Sequence, residues 1–289
     1  MTSRERPDVA RVTEVHWTRR AANRVAIGAC ALAAAGVVLP LGLLVAHLLA
    51  HGLGAISIGF FTHMPKPVGE PGGGMANAIV GTLIVVGIGA AIAVPVGVAA
   101  GVYLAEYSRE RLAFVVRYTA DVLGGAPSIV VGVAVFGLLV VPMGRFSAVA
   151  GGVALAVLML PTIVRSTEEV VRLVPASYRQ AALALGAPSW VATLQVVLPA
   201  ARAGVTTAAL LAIARASGET APLLFTALGN RFWSVRVDQP IATLPVMIFD
   251  YARAPYSDWN AQAWGGALTL LALVTVLSAL MRVTTRRIR

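Results

Sequence analysis

Two ionisable residues, Arg215 and Glu219, stand inside a long apolar stretch of the chain. They are four positions apart, so in a helix they lie on one face and are able to pair. An ionisable side chain inside a membrane span is costly, and it usually lines a transport path or has a partner of opposite charge. The spacing therefore indicates either a lined path or a closed pair that fixes helix packing. Both hold if the pair opens and closes during a cycle.

The chemistry that suits Arg215 is recognition of an oxyanion, because its planar guanidinium offers several donors to phosphate-like oxygens. An ionised Glu219 would repel an anion, so its role would be to hold Arg215 in place or to weaken binding enough for release. Arg215 lies about 18 Å along a helix that starts at Ala203, near the midplane of a hydrocarbon layer ~30 Å thick. Gly218 and Pro222 weaken the helix there, as expected where backbone faces a cavity instead of lipid.

A second candidate group consists of Asp121 and Ser128, on either side of the sequence Gly-Gly-Ala-Pro at 124–127. Pro127 and Ser128 could start a half-helix, whose free N–H groups favour anions. In the alternative interpretation, Asp121 forms an interhelical bond near the membrane interface and Pro127 is only a kink. Both interpretations stay open at this point.

The composition shows what kind of element must position these residues. Apolar residues make up 58% of the 289 and charged residues 12%, and the mean hydropathy is +0.80, whereas a soluble domain is about half apolar and a quarter charged. Several runs reach the roughly 18 to 20 apolar residues that cross a bilayer, and lipid leaves no water for open backbone groups. The sequence thus predicts an all-α polytopic membrane protein. Its six transmembrane helices are expected at 25–49, 77–104, 112–141, 146–164, 203–228 and 263–281, with a polar loop at 229–262. In the second span, close helix packing is expected at Gly81, Gly87, Gly89, Gly97 and Gly101.

The net charge of +10 is not a sign of nucleic-acid binding, because the arginines gather at the ends of spans. Six spans place both termini on one side of the membrane. The loop at 165–202 lies on the same side as the termini, and that side holds most of the 23 lysines and arginines. The positive-inside rule then predicts that both termini and this loop are cytoplasmic.

Several functions are not expected for this chain. A Walker A loop needs a lysine after its glycines, and the only lysine, Lys66, lies between two prolines. We therefore expect no nucleotide hydrolysis by that mechanism, no enzymatic activity and no cofactor. His47 and His51 are spaced for one helix face but have no carboxylate nearby, so no metal site is predicted. The single Cys30 permits no internal disulfide.

The stretch 179–199, RQAALALGAPSWVATLQVVLP, lies between the fourth and fifth spans and is patterned as two short helices. Pro175 suits a first helical position, and Gly186 suits the residue just past a helix end, where glycine permits a sharp turn. Pro188 can open a second helix with an apolar face, which Pro199 is expected to close. We call this helix–Gly–helix segment the elbow, and its form suits docking into another protein.

The elbow resembles the signature loop of permease subunits of bacterial ABC importers. That signature reads Glu-Ala-Ala, three residues, Gly, nine residues, an aliphatic residue, one residue and Leu-Pro. The same register in this chain holds Gln180, Ala181, Ala182, Gly186, Val196, Leu198 and Pro199. The departure is Gln180, where the family usually has Glu. The resemblance implies that 165–202 is a coupling loop on which ATP-binding subunits dock.

Three further stretches resemble the PstA-type permease of the phosphate ABC importer. They read GGMANAIVGT at 73–82, DVLGGAPSIVVG at 121–132 and ARASGETAPLLFTALG at 214–229. With the elbow, the resemblance covers most of 72–282, while the first fifty residues match only in hydropathy. In that family the arginine and glutamate of span five are thought to lie on the phosphate route, and they correspond to Arg215 and Glu219.

The resemblance implies a type I ABC importer permease fold with the coupling loop between helices 4 and 5. It also implies that the chain lies in membrane lipid and has three kinds of protein partner. These are a second PstC-like permease, two PstB-like ATP-binding subunits and an extracytoplasmic PstS-like phosphate-binding protein. The implied function is import of inorganic phosphate through a bacterial inner membrane by alternating access.

The expected organisation is a cytoplasmic tail at 1–24, a permease domain at 25–282 with its core at 72–282, and a basic tail at 283–289. The substrate follows from resemblance alone, so a permease for sulfate or molybdate is the nearest alternative. An ion-coupled secondary transporter is an alternative from another class. Such transporters often show inverted repeats, and no convincing internal repeat is visible here. A structural or regulatory membrane protein is the third alternative.

Overall fold

The structure, a computed structural model, describes residues 10–68, 70, 72–107 and 110–286. Every regular element within these ranges is helical. The longer helices are α1 (Ala10–Gly52), α3 (Ala76–Glu106), α4 (Glu110–Gly125), α7 (Ala148–Arg172), α10 (Leu198–Ser217) and α13 (Ser257–Arg286). The shorter ones are α2 (Ile58–Thr62), α5 (Ser128–Val135), α6 (Val141–Met143), α8 (Ala176–Ala184), α9 (Ser189–Val191), α11 (Ala221–Thr226) and α12 (Leu244–Ala252).

The described residues divide at residue 50 into two units. The first is helix α1 up to that residue, with a mean hydropathy of 2.4 in its most apolar window. This helix starts at Ala10, so the polar segment expected before span one is helical from there on. The second unit holds the remaining helices and both groups of candidate residues.

Five of the described helices are long and apolar enough to cross a membrane, and a bent pair gives a sixth crossing if it is counted as one span. The pair is Arg111–Gly125 followed by Ser128–Met143, and its two parts meet at 105°. The bend falls where the Gly-Gly-Ala-Pro sequence was predicted to interrupt span three. Pro127 has an extended backbone at this point, because a proline and the residue before it do not continue a helix. The fold agrees with the six predicted spans.

Helices α3 and α7 make the most extensive helix contact of the second unit, and glycines permit it. A Cβ on Gly101 would lie 2.6 Å from an α7 side-chain atom, and one on Gly97 would lie 2.7 Å from Ile163. A Cβ on Gly89 would lie 3.0 Å from a backbone oxygen of α7. The expectation that span-two glycines allow close packing is therefore confirmed for these three. It is wrong for Gly87, where an added Cβ would meet nothing within 4 Å.

We call the helix before Gly186 the first arm of the elbow and the helix after it the second arm. The second arm differs from the prediction, because Pro199 does not end a helix. Ser189–Ser217 is one continuous helix that contains a π-helical segment at Ala192–Val197. At the end of that segment, the N–H of Leu198 donates to the carbonyl of Thr193, five residues back. The wider turn shifts the hydrogen-bond ladder, so the missing N–H of a proline is accommodated inside the helix.

Two further boundaries are corrected. The fifth span was expected to reach 228, but α10 ends at Ser217 and the chain resumes in the short helix α11. The region 229–262 was expected to be a polar loop, but it contains α12 and the start of α13. Helix α12 forms because its sequence, LPVMIFDYA, has five buried residues. Three of them, Leu244, Met247 and Tyr251, pack in one apolar cluster.

Candidate functional site

A cavity of about 260 Å³ lies where two helices are interrupted. One wall is the bend at 124–128, and the opposite wall is the end of α10 with the residues that follow it. Arg215, Glu219 and Ser128, all singled out from the sequence, line this one cavity. The remaining lining residues are Leu123, Gly124, Gly125, Ala126, Pro127, Leu158, Thr162, Ala212 and Ala216.

Local sequence explains both interruptions. Pro127 precedes α5, so the helix starts at Ser128, which lines the cavity. Helix α10 ends at Ser217, and Gly218 follows it as the C-terminal cap. The short helix α11 then packs against α5 so closely that a Cβ on Gly132 would lie 2.6 Å from the Cα of Pro222. The two broken segments thus support each other beside the cavity.

Arg215 and Glu219 are not paired in this structure. None of the ion pairs among the described residues joins them. The reason is the end of α10 at Ser217, after which Glu219 no longer follows the helical i,i+4 geometry. The closed pair weighed from the sequence is therefore absent here. Both charged groups line the cavity, and Arg215 is exposed in the isolated chain.

Asp121 does not line the cavity. Its carboxylate forms a two-pronged ion pair with Arg165 on α7, at 2.9 Å from Nε and 2.8 Å from Nη2. Of the two interpretations drawn from the sequence, this geometry matches an interhelical bond, here between α4 and α7. Ser128, by contrast, lies at the cavity wall.

Glu168, which the sequence did not single out, is the centre of this ion-pair cluster. Its side chain is only 4% exposed, and it contacts arginines from two helices. Arg117 of α4 lies 2.6 Å away, Arg172 lies 2.7 Å away one turn along α7, and Arg165 lies 3.7 Å away. The cluster fixes α4 against α7 and so holds the bend that forms one wall of the cavity.

Replacing Glu168 with Gln is expected to destabilise the chain by about 2 to 3 kcal/mol. Removing one partner of a buried pair costs about 3 to 5 kcal/mol, and partial exposure of the arginines reduces that loss. The thermal unfolding midpoint of the purified protein in detergent measures the effect. Glu169→Gln is the matched control, because Glu169 is exposed and makes none of the ion pairs among the described residues. Equal midpoints for the two variants would contradict the role of the cluster.

Thr162 is a lining residue that sequence reasoning missed. It lies in α7 directly after Pro161, which stands inside the helix. A hydroxyl beside an intrahelical proline was a signal available in the sequence, since a proline kinks a helix at an identifiable place. Leu158, on the same wall one turn earlier, carried no such signal.

The elbow has the form that the sequence predicted for its first arm and its turn. Helix α8 ends before Gly186, whose φ of +83° lies in the left-handed region that glycine tolerates. Of the signature residues, Ala182 is buried and Gln180 and Ala181 are exposed. Leu198 packs partly against an apolar cluster, whereas Pro199 is exposed.

Large apolar side chains project from the elbow on both sides of its turn. Leu185 is 89% exposed and Trp190 is 60% exposed, the one just before and the other just after Gly186. Exposed apolar groups that cluster on a rigid turn are a mark of a protein contact surface.

Comparison with known proteins agrees with this geometry. Residues 97–289 match the family model of the binding-protein-dependent transport system inner membrane component. The phosphate transport system permease protein PstA of Yersinia pestis is 47% identical over 80% of this chain and 79% of its own length. The corresponding protein of Haemophilus influenzae is 45% identical over 83% of each chain. PstA 1 of Mycobacterium tuberculosis is 39% identical over 87% of this chain and 84% of its own length.

Solved structures show the same fold. A chain of the MetNI methionine ABC transporter, in an inward-facing conformation, superposes with a TM-score of 0.63. It is 18% identical and covers 74% of this chain and 96% of its own length. The helices described above are thus those of a type I ABC importer permease. The chain is a multi-pass membrane protein of the binding-protein-dependent transport system inner membrane component family, and within that family it belongs to the PstA permeases.

Proposed function

We propose that this chain is the permease subunit of an ATP-driven importer that moves inorganic phosphate across the inner membrane by alternating access. The names of its PstA relatives support phosphate as the substrate. The observation that carries the proposal is the unpaired Arg215 in a cavity formed by two broken helices. Such broken helices are typical of substrate sites in transporters, where irregular backbone faces a cavity.

The cavity suits transient binding of an oxyanion. Arg215 offers several guanidinium donors to phosphate oxygens, and the start of α5 at Ser128 adds backbone N–H groups. Glu219 lines the same space, and its carboxylate opposes tight anion binding, so release stays possible. We assign the route to Arg215, Glu219 and Ser128, and Asp121 to the ion-pair cluster beside it.

The chain works with partners, because its family is binding-protein-dependent and belongs to ABC importers. We assign to them two PstB-like ATP-binding subunits, a second PstC-like permease and an extracytoplasmic PstS-like phosphate-binding protein. The ATP-binding subunits dock on the elbow, where Leu185 and Trp190 are exposed. Nucleotide hydrolysis belongs to those subunits. The only lysine of this chain, Lys66, is not preceded by the glycines of a Walker A loop.

The elbow and both termini face the cytoplasm in this proposal. The excess of arginine on that side supports the orientation, and it puts the elbow in the compartment that holds ATP. Closure of the ATP-binding subunits moves the elbow. Its second arm is continuous with α10, so the movement reaches Arg215 along a single helix.

Reconstitution of the complete transporter tests the function. We expect uptake of radiolabelled phosphate into proteoliposomes that contain ATP, and none with a non-hydrolysable analogue. Uptake of sulfate or molybdate in preference to phosphate would assign another oxyanion. Uptake that an ion gradient drives without ATP would replace the proposal with secondary transport.

Replacing Gly186 with Val is expected to reduce uptake by about tenfold and weaken retention of the ATP-binding subunits. The left-handed conformation costs an L-residue about 1 to 2 kcal/mol, more for a β-branched one, so the turn changes shape. Co-purification of the ATP-binding subunit and uptake measure the effect. Gly186→Asn is the control, because asparagine tolerates this conformation and an added Cβ meets nothing within 4 Å. Normal transport by the valine variant would argue against the elbow as a docking element.

A further inference from the structure

Arg179, at the middle of α8, holds the elbow to two other helices. Its Nε lies 2.9 Å from both carboxylate oxygens of Glu106, at the end of α3. Its Nη1 donates to the carbonyl of Val174 at 2.6 Å, and its Nη2 donates to that of Val171 at 3.0 Å. Both carbonyls belong to the C-terminal end of α7 and the residues just after it. One guanidinium thus joins α8, α3 and α7.

This contact is sheltered. The Glu106 side chain is 9% exposed and the Arg179 side chain is 25% exposed. The carboxylate holds the pKa of Arg179 above its ordinary value through their hydrogen bond, although partial burial acts in the opposite direction. Charge-assisted, two-pronged pairs of this kind fix geometry more strongly than exposed ion pairs do.

Apolar packing of α8 is slight by comparison. Ala182 is the only buried residue of the helix. The end of α3 also reaches the second arm of the elbow, because Tyr107 donates from its hydroxyl to Thr193 Oγ1 at 2.9 Å. The polar contacts of Glu106 and Tyr107 therefore connect the end of α3 to both arms of the elbow.

The two arms lead to opposite walls of the cavity. The second arm continues as α10 to Arg215. The first arm meets α7 and α3 at Arg179, and α7 holds the bend of the other wall through the Glu168 cluster and contributes Thr162 to the cavity lining. Gly186 lies between the arms with open space around it, so it can act as a joint.

We propose that Arg179 and Glu106 are positioning residues that pass movement of the elbow to α3 and α7, so that both cavity walls move when ATP-binding subunits close. This inference rests on the proposed function. We call the Arg179–Glu106 ion pair the clamp. Without the clamp, the first arm pivots at Gly186 while α7 stays in place. ATP is then hydrolysed with little transport, although the docking surface is intact.

The test compares Arg179→Gln, Glu106→Gln and the double variant in the complete transporter with its binding protein. We expect each variant to retain the ATP-binding subunits and to consume about threefold or more ATP per phosphate imported than the unchanged transporter. The double variant should resemble the single ones, because both remove the same contact. Arg24→Gln is the control, since Arg24 lies outside the elbow, is exposed and forms none of the ion pairs among the described residues. An unchanged ratio in the single variants, or losses that multiply in the double, would overturn the proposal.

A second measurement needs no substrate. Amide hydrogen exchange of α8 in the Arg179→Gln and Glu106→Gln variants should rise about tenfold, the expected effect of losing charged hydrogen bonds. Unchanged exchange overturns the clamp even if the complex transports some other anion, and loss of the ATP-binding subunits from both variants reassigns the pair to docking. If the unchanged transporter imports no phosphate with ATP, the proposed function fails instead, and the exchange result still decides the clamp.

Discussion

Phosphate uptake by the complete transporter is expected to fall roughly 10- to 100-fold when Arg215 is replaced with Gln. A charged hydrogen-bond donor contributes about 1.5 to 3 kcal/mol, and about 1.4 kcal/mol corresponds to a factor of ten. Among the described residues that line the cavity, Arg215 is the only arginine or lysine, so none of the others replaces its charge. Initial rates of radiolabelled phosphate uptake into proteoliposomes measure the loss.

Two further variants separate charge from geometry. Arg215→Lys keeps the charge but loses the planar fork, so its uptake should lie between that of the Gln variant and that of the unchanged transporter. Arg24→Gln removes an exposed arginine of α1, outside the elbow, and should leave uptake unchanged. Normal uptake by Arg215→Gln, with the complex assembled, would remove Arg215 from the substrate route.

Residue types and spacing predicted much of the fold because the membrane limits the choices. The first arm of the elbow and its turn were placed correctly, since a proline before a helix and a glycine after it act locally. The bend in span three was marked by Gly-Gly-Ala-Pro, whose two glycines and proline each weaken a helix locally. The contact of Gly89, Gly97 and Gly101 with α7 followed from the small size of these residues in an apolar span.

The errors arose where tertiary structure decides. Pro199 normally ends a helix, but a π-helical turn before it lets the helix continue, and such a turn has no clear sequence signal. The closed Arg215–Glu219 pair, one of the two alternatives that the sequence left open, assumed a helix through 219, whereas α10 ends at Ser217. The polar appearance of 229–262 concealed α12, because arginines and aspartates flank its short apolar core.

Contacts between distant positions were not accessible from one sequence. Arg179 and Glu106 are 73 residues apart, and Arg117 and Glu168 are 51 apart. Each could equally have been a solvated charge at the end of a span. Only the close approach of α3 to α8, and of α4 to α7, brings these charges together, so the Arg179 clamp and the Glu168 cluster became visible with the fold. The cavity itself was predicted more easily, because its charged residues lie inside a span, where charge is rare.

Replacing Gly81 with Ala is expected to cost the folded chain about 3 kcal/mol or more and to lower the yield of folded protein strongly. A Cβ on Gly81 would overlap the carbonyl oxygen of Ala242, a backbone atom that cannot turn away. The segment around Ala242 is held in place from the next residue of α3, since Leu244 donates its N–H to Thr82 Oγ1 at 2.8 Å. Overpacking of a closed contact usually costs about 1 to 3 kcal/mol, and here neither side can yield without breaking that bond.

Gly87→Ala is the matched control, because it makes the same change in the same helix. An added Cβ there meets nothing within 4 Å, and alanine favours a helix over glycine by about 0.8 to 1 kcal/mol. The control should therefore be as stable as the unchanged chain or slightly more so. Size-exclusion profiles and thermal midpoints of the two purified variants decide the matter. Equal profiles and midpoints would mean that the segment before α12 does not rest on α3 as closely as the structure shows.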